Sequence, residues 1–165
     1  MSQSSSSRSA ALPLRRIARQ WAVQYLYQVD LCDERPSEAT LAYFWAQAEG
    51  LAEEKLAARE HDKCRETAQR FIQGVHDHLD ELDVCIDKAA SNWDVKRLAA
   101  IDRNIMRLAA YELRYEPEIP AAASINEALE ICRVFGQGDE SVAFINGILD
   151  HIRRVDAQEQ ESDGD

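Results

Sequence analysis

Residues 93–117 read WDVKRLAAIDRNIMRLAAYELRYEP. At 100° per residue, Leu98, Ile101, Ile105, Leu108 and Leu113 form one apolar stripe, the 3.6-residue repeat of a helix with a face turned inward. Asp94 stands where an N-cap belongs. Pro117 and Pro120 end the segment, because proline lacks the N–H that the ladder needs and drives its predecessor out of helical geometry. The stretch therefore predicts a central core helix.

The same period continues on both sides. Downstream, Ser124 and Glu127 have the spacing of a capping box, and Gly136 is placed to close the helix they open. The next helix, Asp139 to Val155, directs Val142, Ile145, Ile148, Leu149 and Ile152 to one side, with Phe144 about 100° away from Ile145. Asn146-Gly147 falls inside this helix at a cost of about 1 kcal/mol relative to alanine, which predicts close packing against a neighbouring backbone. Upstream, Pro13 fits the first turn of a helix to about Leu31. Its Ala18, Ala22, Tyr25, Leu26 and Val29 line one stripe, Arg16, Gln20, Val23 and Tyr27 line another, and Arg19 lies between them. Ser37 is a candidate N-cap for a helix through Leu41, Phe44, Trp45 and Ala48. Gly50 is a candidate break before a long segment that bends near residues 77–80. The fold class is all-α.

Composition agrees. The chain has 165 residues, 45% of them hydrophobic, with only 6 glycines and 4 prolines, so the supply favours one helical domain with a real core. Residues 1–12 are rich in serine and residues 156–165 are acidic. Both are too polar to offset their ordering entropy and are expected as a flexible arm and tail around a domain spanning 13–155. Cys32, Cys64, Cys85 and Cys132 are scattered without a C-x-x-C pair, the pattern of buried thiols in a reducing compartment. His61, Cys64, His76 and His78 do not make a zinc site, since His76 and His78 point about 160° apart on a helix. The N-terminus has no apolar leader, and no run of about 18 apolar residues exists to span a bilayer. A cytoplasmic protein with no metal, cofactor or membrane contact is expected.

The net charge of −11 is unevenly placed. Residues 1–29 hold four arginines and no acid, while residues 30–165 hold 15 basic against 30 acidic residues. Arginine at a helix start opposes the macrodipole, so Arg15, Arg16 and Arg19 suggest an anionic ligand. No P-loop or G-x-G-x-x-G is present, and no acid/base dyad stands out among thirty carboxylates, so binding without catalysis is expected.

Four stretches in order, LRRIARQWAVQYLYQ (14–28), DRNIMRLAAYEL (102–113), SINEALEICRVFG (124–136) and SVAFINGILD (141–150), resemble the NusB family of transcription antitermination factors. The likeness is clear over residues 14–32 and 93–153 and poor over 33–80. It implies about seven helices in two small packed bundles. It also implies binding of boxA-like single-stranded RNA of ribosomal-RNA transcripts, with the ribosomal small-subunit protein NusE as partner, within the RNA polymerase antitermination complex. On the resemblance, the RNA-contacting residues are Arg15 and Arg16, with Arg19 and Gln20 beside them, together with Tyr27 and Phe144. Arginine suits bidentate phosphate contact, and an aromatic ring can stack on an unpaired base.

Two departures matter. Ile17 stands where many relatives carry a third arginine, and Ala143 where a lysine is common. They favour an alternative, a helical protein-binding adaptor with little RNA affinity of its own. Similar helical domains also precede the catalytic part of certain ribosomal-RNA cytosine methyltransferases. With no cofactor loop or catalytic-cysteine motif in the chain, no methyl transfer is expected.

Overall fold

The computed structural model describes residues 4–51, 56–91, 97–135 and 137–164. They form seven helices and, among the described residues, no strand. The helices fall into two units, residues 1–76 and 77–165.

The first unit holds α1 (Ser4–Leu31), α2 (Glu38–Leu51) and α3 (Ala58–Asp77). The expected inner stripe of α1 is buried throughout, as are Phe44 and Trp45 of α2 and Phe71, Ile72 and Val75 of α3, and α1 meets α3 where Trp21 lies 5.2 Å from His61 and Cys64 Sγ donates to the Leu14 carbonyl. Two edge-on aromatic contacts tie α1 to α2, Trp21 to Trp45 at 5.6 Å and Tyr25 to Phe44 at 5.5 Å, and a third joins Phe44 to Trp45 at 5.1 Å within α2. Such pairs add about 0.5–1.5 kcal/mol each beyond area burial. The Tyr25 hydroxyl meets Thr40 Oγ1 at 2.7 Å, so its buried ring keeps a polar partner.

Helix ends follow local chemistry. Asp33 takes φ 54°, and the Glu34 N–H donates to the Val29 carbonyl at 2.8 Å while the Asp33 N–H donates to that of Asp30. This left-handed stop satisfies the last carbonyls of α1, and aspartate tolerates it better than most residues. Ser37 caps α2 as expected: its Oγ accepts from the Thr40 N–H at 3.2 Å, and Thr40 Oγ1 accepts from the Ser37 N–H at 3.0 Å. Threonine here plays the part of glutamate in a capping box. Helix α2 runs one residue past Gly50, and α1 begins at Ser4, upstream of Pro13.

The second unit holds α4 (Leu79–Ala90), α5 (Ala100–Tyr115), α6 (Ala121–Val134) and α7 (Asp139–Asp163). The bend expected near residues 77–80 is the junction at His78. Helix α5 touches α4, α6 and α7 and is buried at every residue from Asn104 to Glu112. Its polar residues are partnered inside. Arg107 makes a bidentate pair with Asp83 of α4, Nε to Oδ1 at 2.7 Å and Nη2 to Oδ2 at 2.8 Å, and Nη1 reaches Asn104. The Asn104 amide donates to the Ala100 carbonyl, and the Tyr111 hydroxyl to Glu116.

Several sequence expectations are corrected here. Helix α5 starts at Ala100, so Leu98 precedes it. Asp94 and Gly136 lie outside the described residues. Ser124 is no cap: α6 starts at Ala121, and buried Ser124 Oγ lies 3.5 Å from Glu112 Oε1. Three consecutive alanines after Pro120 supply enough helix propensity to start earlier. Helix α7 continues past Val155 through Ala, Gln and Glu residues of good propensity. Of the four thiols only Cys64 and Cys132 are buried, while Cys32 is exposed and Cys85 half-buried. Among the described residues no helix is long and apolar enough to cross a membrane, and no three His, Cys, Asp or Glu side chains could hold a metal.

Asp102 is 7% exposed, accepts from the Ser141 hydroxyl at 3.2 Å, and has no partner for Oδ1. Burial pushes its carboxyl above the ordinary aspartate range. The folded state therefore holds this proton to higher pH than the unfolded chain does. Its contribution to stability is largest below the ordinary aspartate pKa and is lost as pH rises through the folded one. Asp102→Asn should raise the urea midpoint at pH 7 and flatten that acid-side slope. Leu149→Ala, which empties a fully buried site, should lower stability by about 2–5 kcal/mol with an unchanged m-value.

Candidate nucleic-acid interface

The basic start of α1 is an exposed edge of a helix whose other side is core. Arg15 and Arg16 are exposed, and Gln20 and Tyr27 are half-buried. Gln24, which sequence reasoning passed over, is exposed. It takes the position expected of Val23, which is fully buried. The accessible strip is therefore Arg16, Gln20, Gln24 and Tyr27, at i, i+4, i+8 and i+11, rising about 16 Å along the helix. The signal was available: a polar i+4 series, Arg16, Gln20 and Gln24, with an aromatic residue three positions further on.

Arg19 is corrected. It is 3% exposed, with its guanidinium carbon 5.9 Å from the centre of the Phe71 ring, so it does not join Arg15 and Arg16 at the surface. The reason is its register. Arg19, Val23 and Leu26 follow i, i+4, i+7 spacing and all are buried, so the arginine stem continues an apolar stripe and its planar head lies over an aromatic face.

This strip and the adjoining Arg15 offer two permanently charged donors for phosphate, two amides for base edges or sugars, and a ring that can stack. Two arginines make a small electrostatic footprint.

Phe144 belongs to the second unit, where it is half-buried on α7 between exposed Ala143 and buried Ile145. Nearby Gly147 does not behave as expected. A Cβ built there meets nothing within 4 Å among the described residues, so close packing against them does not explain the glycine. Asn146 and Gly147 are both exposed, leaving an open stretch of backbone beside Phe144.

Comparison with known proteins gives the family. The NusB family model matches residues 16–154. The transcription antitermination protein NusB of Myxococcus xanthus is 40% identical over 138 residues, covering 84% of this chain and 93% of that protein. Among solved structures, T. maritima NusB is 31% identical with a TM-score of 0.69, covering 85% of this chain and 90% of that one. A crystal structure of antitermination factors NusB and NusE in complex with dsRNA matches at TM-score 0.70 and 22% identity, over 87% of this chain and 98% of that one, a likeness of fold.

The two classes of arginine should separate in stability measurements. Arg15→Ala and Arg16→Ala, both at exposed positions, should each shift unfolding free energy by no more than about 0.5 kcal/mol. Arg19→Ala, which removes buried packing over Phe71, should cost about 1–3 kcal/mol. Urea unfolding followed by circular dichroism distinguishes them, and equal small effects at all three would return Arg19 to the surface set.

Proposed function

The chain belongs to the NusB family, and from that premise we propose that it is an RNA-binding transcription antitermination factor. It takes a boxA-like element of ribosomal-RNA transcripts together with a NusE-type ribosomal small-subunit protein, as part of an RNA polymerase antitermination complex. The observation that carries this reading is the exposed strip that begins at Arg15 and Arg16 and ends at Tyr27, on the one segment of an acidic protein that has no carboxylate before Asp30. Arginines hold phosphates, Gln20 and Gln24 add amide contacts, and Tyr27 supplies a stacking face. Phe144, beside the open backbone of Asn146-Gly147, offers a second ring on the other unit. The protein works by binding alone, without a catalytic step, in the cytoplasm where transcripts are made.

A second reading, a protein-binding adaptor with weak RNA affinity, is favoured by one observation. With Arg19 buried, Ile17 half-buried and Ala143 uncharged, Arg15 and Arg16 are the exposed cations left in the opening cluster. Two phosphate contacts to single-stranded RNA give a salt slope of only about 1.4. RNA affinity is therefore expected to depend on NusE, whose basic character suits the acidic body.

Fluorescence anisotropy with labelled boxA RNA tests the reading. The protein with NusE should prefer boxA over a scrambled sequence at low salt. The Arg15→Ala/Arg16→Ala double variant should bind about tenfold more weakly, equal to 1.4 kcal/mol, with helicity unchanged. Loss of the preference for boxA both alone and with NusE would leave the adaptor reading standing.

A further inference from the structure

A groove of about 490 Å³ runs along the second unit between α4 and α7. Its floor is apolar: Ile152 is buried, Cys85, Ala89 and Val155 are half-buried, and Val84 is 53% exposed, an aliphatic side chain turned to solvent beside a hollow. Its rim is charged and directional. Asp80 and Glu81 open α4, Asp156 and Glu159 lie on the last turns of α7, and Arg114 joins the two ends by pairing with Asp156 at 2.9 Å and Glu81 at 3.2 Å. That single guanidinium is already engaged on both sides, so the end of the groove defined by these four carboxylates stays acidic. Lys88 lies about 10 Å further along α4, and His151 of α7 also lines the groove.

We propose that this groove docks a basic amphipathic helix of a partner protein. The helix lays a row of aliphatic side chains at i, i+4 and i+7 onto Val84, Cys85 and Ile152, with its lysines or arginines at the acidic end. The charge of the rim chooses this occupant over the alternatives. RNA phosphates are repelled by the four carboxylates. A second copy of the chain, joined symmetrically, would set this acidic end against itself or leave it unmatched. The groove has the size of a site for a few side chains rather than for a folded domain. Helix α7 supplies one wall by running beyond Val155, and Glu159 stands on that extension, so an occupant also holds the extension in helical form. The inference does not rest on the RNA reading: groove and arginine strip stand on different units.

The test uses the full chain and a fluorescein-labelled 14-residue helical peptide with leucines at i, i+4 and i+7 and lysines gathered at one end. Saturable binding that weakens with added salt is expected. It should fall at least tenfold with Val84→Glu, and likewise with the pair Asp80→Lys/Glu159→Lys. The pair Asp62→Lys/Glu66→Lys changes net charge equally on exposed positions of α3 and should leave binding intact. Hydrogen exchange across residues 150–163 should slow when peptide is bound. Equal losses from both charge pairs would reduce the effect to bulk attraction, and equal binding of a peptide with serines for leucines would remove the apolar floor; either result overturns the proposal. So would sedimentation showing a dimer that Val84→Glu dissolves, which would assign the groove to a second copy.

Discussion

Helix α5 has no solvent face between Asn104 and Glu112, so every polar group it carries must find its partner inside the fold. Arg107 does so with Asp83, two parallel N–H to carboxylate bonds that fix α4 against α5 in one register. Charge-assisted bidentate bonds are directional, whereas aliphatic packing alone tolerates sliding. Removing Asp83 would leave the 7%-exposed Arg107 without this carboxylate, a cost of up to about 3–5 kcal/mol. Ser124 and Ser141 follow the same rule, directing α6 and α7 toward Glu112 and Asp102. The placement of Ile145, Ile148, Leu149 and Ile152 on the buried α7 face follows from that frame, and so does the exposure of Ala143, Asn146 and Gly147, with half-buried Phe144 at the edge between them.

In the first unit the constraint falls on α1. Its buried side must meet two helices at once, and the apolar stripe is therefore wide, taking in Arg19 and Val23 as well as the small and aromatic residues from Ala18 to Val29. What is left for a ligand is a narrow strip. Arg15 and Arg16 can project because they lie before the stripe reaches full width, and Gln20, Gln24 and Tyr27 because they stay on its far edge. One helix thus anchors the unit with one side and offers charge, amides and a ring with the other.

Much of this was legible in the sequence. The core of α5, the inner side of α1, the Ser37 cap and the break at His78 all follow from period and capping chemistry, which act locally. The misses have local and distant causes. Three alanines after Pro120 start α6 ahead of Ser124, whose hydroxyl then faces Glu112, twelve residues away, while Arg19 lies over Phe71 of another helix. Gly147 misled in the other direction, since a glycine in a helix suggests a close neighbour and the described residues provide none. The candidate strip was half legible. Arg16, Gln20 and Tyr27 were on it, but a polar and an apolar residue one position apart, Gln24 and Val23, can exchange places when the width of the buried stripe is unknown.

The account turns on whether RNA lies along α1. Photo-crosslinking of 4-thiouridine-substituted boxA RNA to the NusE-bound protein, with crosslinked peptides read by mass spectrometry, asks this directly. Adducts are expected within residues 14–28, at or beside Arg15, Arg16 and Tyr27. Adducts confined to residues outside α1, with none in that segment, would contradict it.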